Sequence, residues 1–336
     1  DLHSFPTRRS SDLVVVDAAE FFNGWDWDGD GEVDYGTIEA MAPKDVNPYI
    51  FLTHAVTYAA HPNYPGYTFF NPETMQPMVN DPAYQRALEE YKRILKLGPP
   101  NMINYGGGDE RAAFPAGESA LAIDWHDTAL ATQNPDSSKV KELVGYALAP
   151  GSYECWNPET EQWDTFDEVQ YAPYLAFSGW TSSVTSTCKN PQVAVDFLSV
   201  MDNDENSLAA VTTDGTARNP YRLQHLTDAS VWENSPIHYY NAQEFIDTVL
   251  KSYTHPNVQL DMRLPKAGSY LDALDLGVSQ ALSGDLDVES ALNYVAESWE
   301  EITDEEGRDT QREFYQNTYK TTTRSEERRV GKECRS

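Results

Sequence analysis

FPAGESALAIDWHDTAL, residues 114–130, is the stretch from which the rest of the chain can be read. Its apolar run ALAID, from Ala120 to Asp124, is short and bounded by glycine and polar residues, the pattern of a buried strand. Trp125, His126 and Asp127 follow at once, so an indole, an imidazole and a carboxylate stand at the end of that strand. Outward from it, VGYALA (Val144–Ala149) and Tyr174–Phe177 read as further strands, and the polar, aromatic stretch Ser152–Gln170 as a loop or hairpin inserted between them. Helices alternate with these pieces. One follows Asp81 and Pro82, a cap residue and a first-turn proline, with Tyr84, Ala87, Leu88, Tyr91, Ile94 and Leu95 on one face and Gly98 at its end. A second follows Asn190 and Pro191, with Ala194, Phe197, Leu198 and Met201 as the expected buried stripe. Two more begin at Ser269 (Leu271, Leu274, Val278, Ala281) and Asp287 (Ala291, Leu292, Val295, Trp299). Strands alternating with helices predict α/β layers. No repeat of twenty to fifty residues is visible, against a solenoid or propeller.

The two ends are set apart before any reasoning about fold. DLHSFPTRRSSDL (residues 1–13) and RSEERRVGKECRS (324–336) can be back-translated into one DNA string and its reverse complement, a string that resembles a sequencing-library adapter. Both flanks are therefore expected to be non-native. On that expectation Cys334 is not a natural cysteine, and the natural protein extends beyond Val14 and Thr323. The lack of a signal segment then says nothing about location.

The formal net charge is −30, and setting the flanks aside moves it to −32. Such a field repels phosphates and anionic membrane, which argues against nucleic acid as a partner. It suits a secreted protein in a saline habitat, where ions screen the self-repulsion. With 40% hydrophobic residues, 20 Tyr and 8 Trp, the chain can bury a sizeable core. No apolar run approaches the ~20 residues that cross a bilayer. Cys155 and Cys188 remain after trimming, compatible with one disulfide in an oxidising compartment or with two buried thiols, the bridge slightly favoured.

Taken in order, the motifs resemble the family-1 extracellular solute-binding proteins, the sugar-type receptors of ABC importers. FPAGESALAIDWHDTAL resembles that family's Phe-x-x-Gly-x-x-Ala-Met strand, and VGYALAPGS (144–152) the strand that follows it. SGWTSSVTSTCKNPQVAVDFLSVM (178–201) resembles the next strand and helix, Pro220–Arg222 the Pro-x-Arg after it, and Ser269–Ile302 the C-terminal helix pair. The resemblance implies a two-lobed periplasmic-binding-protein-like fold of type II that closes on its ligand by hinge bending. EFFNGWDWDGDGEVDYG resembles the segment near the first crossing between lobes, so most of the N-terminal lobe is expected to be missing. Residues 14–175 and 231–323 would then form the second lobe and 176–230 a returning segment of the first. The implied function is capture of a carbohydrate between the lobes and its delivery to ABC permease subunits. The implied protein is a periplasmic or extracellular monomer, with lipid anchorage left open, and is not an enzyme.

The functional aromatics are expected to be Trp125 and Trp180, each just after a strand, where a flat indole covers a pyranose face. Asp124, His126 and Asp127 would bond the hydroxyls. Tyr270 and Arg222 are weaker candidates, and Arg222 reads somewhat better as loop support through a carboxylate. DWDGDGEVD carries Asp26, Asp28, Asp30, Gly31, Glu32 and Asp34 at positions 1, 3, 5, 6, 7 and 9 of an EF-hand-type loop, so structural calcium is expected there, through the carbonyl of Glu32 at position 7. Position 12 is Thr37 rather than a bidentate Glu, so a further ligand, Glu39 or a distant carboxylate, is required. Trp25 and Trp27 are expected to pack around this loop. The rival reading is a calcium-containing secreted glycoside hydrolase, which needs two carboxylates opposed across a cleft.

Overall fold

The computed structural model describes residues 12–318 apart from 178, 214 and 217; the expectations about the flanks lie outside these residues, except that 12 and 13 open the first helix. Six strands are described: β1 (Tyr35–Ile38), β2 (Ser119–Ala122), β3 (Ser152–Asn157), β4 (Gln162–Gln170), β5 (Tyr174–Leu175) and β6 (Gln259–Leu260). The helices are α1 (Asp12–Phe22), α2 (Asn47–Ala59), α3 (Pro82–Ile94), α4 (Gly107–Ala116), α5 (Thr128–Thr132), α6 (Pro191–Met201), α7 (Asp204–Thr212), α8 (Ser230–Glu233), α9 (Ala242–Thr254), α10 (Ala267–Ser283) and α11 (Val288–Glu306). Proline in the first turn, where its missing N–H costs nothing, starts α2, α3 and α6. Asp287 caps α11 by accepting from the Ser290 N–H at 2.7 Å. No described helix is long and apolar enough to cross a membrane.

The main core joins α2, α3, α10 and α11. Phe51, Leu88, Tyr91, Leu274, Leu292 and Trp299 are all inaccessible to solvent within it. Gly277 brings α10 onto α11: a Cβ there would stand 2.4 Å from a Val295 methyl, too close for any other residue without a shift. A second cluster gathers Leu130, Val211, Leu226, Trp232, Phe245 and Val249 from α5, α7, α8, α9 and the turn after residue 222.

Three two-stranded sheets are formed. β1 and β2 pair in parallel, with Thr37 opposite Leu121, and β5 pairs in parallel with β6, Tyr174 opposite Gln259. β3 and β4 form an antiparallel hairpin within the insertion, with Trp156 opposite Trp163. The parallel pairs need helical crossovers, which gives the α/β character.

Three expectations are corrected. VGYALA is not a strand; its backbone finds side chains of α9 instead of a strand partner. Asn241 donates to the Val144 carbonyl at 2.6 Å, Glu244 accepts from the Tyr146 N–H at 3.1 Å, and Thr248 donates to the Tyr146 carbonyl at 3.3 Å. The α6 helix forms where expected but buries none of its residues; Val193, Phe197 and Val200 are 66%, 62% and 57% exposed. Its stripe has the right period and no partner among the described elements. Cys155 and Cys188 are both free thiols: Cys155 is buried under α2, its Sγ 3.9 Å from the Thr57 carbonyl, and does not meet Cys188.

Candidate functional site

Trp125 leaves the end of β2 half-buried, and its ring meets two aromatics from other elements. Tyr49, on the first turn of α2, lies 6.2 Å away edge-on, and Phe177, just after β5, lies 5.4 Å away. Phe177 in turn sits 4.4 Å from Tyr49 and stacks on Trp180 at 6.3 Å with an 18° interplanar angle. The two tryptophans named from sequence thus belong to one continuous set of four rings. Trp180 is 93% exposed, so its indole face stands open. Phe177 holds a left-handed backbone (φ 60°), a sparsely populated conformation for a bulky residue that must be imposed by its surroundings. One restraint is Asp261, at the end of the neighbouring β6, which accepts from the Tyr174 hydroxyl and the Met262 N–H, both at 2.9 Å, and from the Phe177 N–H. The rings stand at the carboxyl ends of parallel strands, where open α/β sheets place their ligands.

Below Trp125 lies a charge cluster organised by Arg111 of α4. Its Nε and Nη2 donate to Asp124 at 2.7 and 3.0 Å; Nη1 and Nη2 donate to Asp127 at 2.9 and 3.3 Å. Asp124 also accepts from the Trp125 N–H at 2.7 Å and from the Thr128 hydroxyl. A carboxylate offers about four lone-pair positions, and those of Asp124 are all engaged. Asp124, expected to bond solute hydroxyls, is instead the anchor that ties the Trp125 turn to α4. Asp127 accepts the other edge of the guanidinium, and its backbone N–H donates to Asn219 at 2.9 Å, linking this turn to the segment after α7. Burial opposes the Arg111 charge and the two carboxylates more than offset it, so the guanidinium is held above its ordinary pKa. Asp127 is raised, by burial first, with Arg111 pulling the other way.

His126 packs edge-on against Tyr253 at 5.3 Å. Burial pushes it down to about 4, against the pull of Asp124, so it is neutral at pH 7 and keeps one donor and one acceptor nitrogen. Glu110, beside Arg111 in sequence, is completely buried and neither carboxyl oxygen has a hydrogen-bond partner of good geometry. Burial, with Asp124 and Glu39 adding repulsion, raises it well above the usual carboxylate range.

Tyr270 is not part of this surface. It is inaccessible to solvent, hydrogen-bonded to Thr303 at 2.9 Å, and its carbonyl accepts from the Trp299 indole at 2.8 Å, a joint between α10 and α11. Arg222 also stands apart: it donates to Asp204 at 3.1 Å and to the Asp202 carbonyl, the loop-supporting role that its motif allowed.

At the DWDGDGEVD loop, Asp26, Asp28 and Asp34 bring one carboxylate oxygen each to within 4.8 Å of one another, the spacing a hard cation takes. Asp30 is turned to the Glu32 N–H at 2.9 Å, and the Lys139 ammonium stands 3.6 Å from Asp30 and 3.7 Å from Asp28. Glu39 is not the missing twelfth-position ligand: it is buried and paired with His54 at 2.9 Å. Trp27 does pack on the loop, its N–H donating to Asp34 at 2.6 Å and its ring 6.1 Å from Trp25.

Tyr49, Phe177 and Arg111 were not foreseen. The one sequence signal for Tyr49 is Asn47–Pro48, a helix start that aims the first turn of α2; Arg111 sits in GGDERAA, which carries no period or spacing that would single it out. The carboxylates nearest the rings, Asp124 and Asp127, share one guanidinium rather than facing each other across a cleft, unlike the pair a glycoside hydrolase needs.

No protein-family model matches the chain, and no curated protein matches it in sequence. Solved structures do match. An ABC transporter solute-binding protein from Agrobacterium radiobacter K84 in complex with ribitol aligns over 90% of this chain and 66% of its own, at 18% identity and a TM-score of 0.67. Another from Agrobacterium vitis S4, with bound D-mannitol, gives 90%, 68%, 18% and 0.65. Maltose-bound MalE3 of T. maritima gives 90%, 67%, 16% and 0.62. All three are binding proteins. The chain spans about two thirds of the length of these relatives, and over that span its fold is the α/β, periplasmic-binding-protein-like fold of ABC transporter solute-binding proteins.

Proposed function

We propose that this chain is part of a secreted receptor that captures a carbohydrate or polyol and delivers it to the permease of an ABC importer. The observation that carries the reading is the four-ring face of Tyr49, Trp125, Phe177 and Trp180 at the carboxyl ends of β2 and β5. Aromatic faces take the C–H surfaces of sugars, while fixed polar groups beside them, here the exposed edge of Arg111 and the neutral His126, supply directional bonds. The likeness to structures holding ribitol, mannitol and maltose supports the solute class. In this reading residues 176–230 return to a first lobe, most of which lies outside the chain, and the uncovered apolar face of α6 is part of what that lobe would bury. The experiment is calorimetric titration of the full-length protein with ribitol, mannitol, maltose and longer oligosaccharides, with reducing ends assayed afterwards. Binding without cleavage is expected. Failure of every solute to bind removes the receptor reading, and release of reducing ends removes the non-enzymatic one.

We further propose that the Asp26–Asp34 loop holds calcium as a structural ion. Three converging carboxylates support this; the Lys139 ammonium takes the place of cation contacts at Asp28 and Asp30, and no twelfth-position carboxylate joins them. Affinity should therefore be modest. Chelator is expected to lower the melting temperature and added calcium to restore it; a melting temperature indifferent to both leaves the loop as an acidic turn.

A further inference from the structure

The four-ring face is bordered mainly by carboxylates. Asp124 and Asp127 lie beneath Trp125, and Asp261 holds the Phe177 turn through its hydrogen bonds. Asp272, exposed on α10, acts with Asp261 on Tyr49, whose hydroxyl is pushed up to about 12 by burial and then by these two charges. Two guanidinium groups stand against these four acids: Arg111, and Arg263 beside Asp261. Arg111 is the cation nearest Trp125, and it is not available to an anion. Four N–H···O bonds already run from it to Asp124 and Asp127, and a guanidinium has five N–H groups. One donor is left, enough for a hydroxyl and too few for the two-pronged grip that a carboxylate takes.

Resting on the receptor reading above, we propose that this face selects solutes by charge: it accepts neutral and amino-bearing sugars and rejects acidic ones such as uronates and aldonates. The excess of fixed carboxylates is the repulsive element of the specificity, and the occupied guanidinium removes the contact that would offset it. The part exposed to water makes the effect sensitive to salt.

The test is titration of the full-length protein with matched solutes at low and high ionic strength: glucose against glucuronate and glucosamine, and mannitol against mannonate. The acidic member of each pair is expected to bind roughly tenfold or more weakly than its neutral parent, as like-charge juxtaposition costs across an interface. That gap should narrow in high salt, and glucosamine should bind at least as well as glucose. Asp272→Asn, which removes an exposed charge with no hydrogen bond recorded to it, should narrow the gap without changing affinity for the neutral parent. Glucuronate or mannonate binding as tightly as its neutral parent overturns charge selection and leaves sugar capture intact. A gap that neither salt nor Asp272→Asn alters would be one of shape, and also overturns it. No binding by any neutral solute overturns the receptor reading and this inference together.

Discussion

Arg111 is expected to matter to stability before it matters to binding. Its two carboxylate partners are 3% and 4% exposed, so removing the guanidinium strands two buried charges. Breaking a buried ion pair by deleting one partner typically costs about 3–5 kcal/mol. Arg111→Ala should lose that much in urea denaturation, and Arg111→Lys less, because one ammonium cannot bridge both acids. Glu110 works in the opposite direction. Its folded-state carboxyl is raised by burial above the ordinary value it has in the unfolded chain. Its contribution is thus fully present below about pH 4 and lost as pH climbs towards the folded value, at up to roughly 1.4 kcal/mol per pH unit. Glu110→Leu removes both the titration and the unpartnered oxygens. The variant should be the more stable protein at neutral pH, and its advantage should shrink on acidification. Equal melting curves for variant and wild type across pH 4–7 would show that Glu110 is solvated or paired in solution. Neither residue was legible from sequence: Arg111 and Glu110 occur in a run of charged residues, and only tertiary packing tells a solvated Glu from a buried one.

Elements were legible where local chemistry and packing agree. α3, α10 and α11 carry both a start signal and an apolar stripe of helical period, and each finds the partner that the stripe requires. VGYALA has an apolar run but no strand beside it, so its hydrogen bonds go to α9 and the strand is lost. α2 was missed for the contrary reason: eleven of its thirteen residues are buried, so it has no polar face to reveal a period. α6 has the period and the start signal and still buries nothing, which makes it a test of what the chain is. An open depression of about 370 Å³ lies beside it, lined by Val200, Met201 and Ala210. Phe197→Ser and Val193→Ser should each change the stability of this chain by less than about 0.5 kcal/mol, as exposed positions do. Leu292→Ala, at a fully buried position of α11, should cost about 2–5 kcal/mol. In the full-length protein the two α6 substitutions should become costly, because a covering lobe would bury those side chains. Measured losses of several kcal/mol in the present chain would mean that α6 already has a partner in solution.

For the molecule as a whole, the fold could be read from the order of several weak motifs, and the candidate site only in part. The resemblance pointed to Trp125 and Trp180, and the structure joins them through Tyr49 and Phe177, which no single-sequence pattern connects because they come from α2 and from the turn after β5. That geometry gives the two indoles unequal roles. Trp125 is half-buried among rings and tied by its N–H to Asp124, so it is pre-ordered; Trp180 touches only Phe177 and is almost wholly exposed. A pre-ordered aromatic at the centre of a site loses little entropy on binding, and truncating such an anchor typically costs about 2 kcal/mol or more. Trp125→Ala in the full-length protein should therefore weaken sugar binding roughly thirtyfold or more. Trp180 becomes an anchor only when a second surface closes over it. In the present chain its truncation should leave binding unchanged, whereas in the full-length protein it should approach the Trp125 effect. Titrating both variants in both proteins separates the cases. Equal effects of Trp180→Ala in the short and long proteins would show that Trp180 acts without a closing lobe. No effect of either substitution in the full-length protein would place the sugar elsewhere.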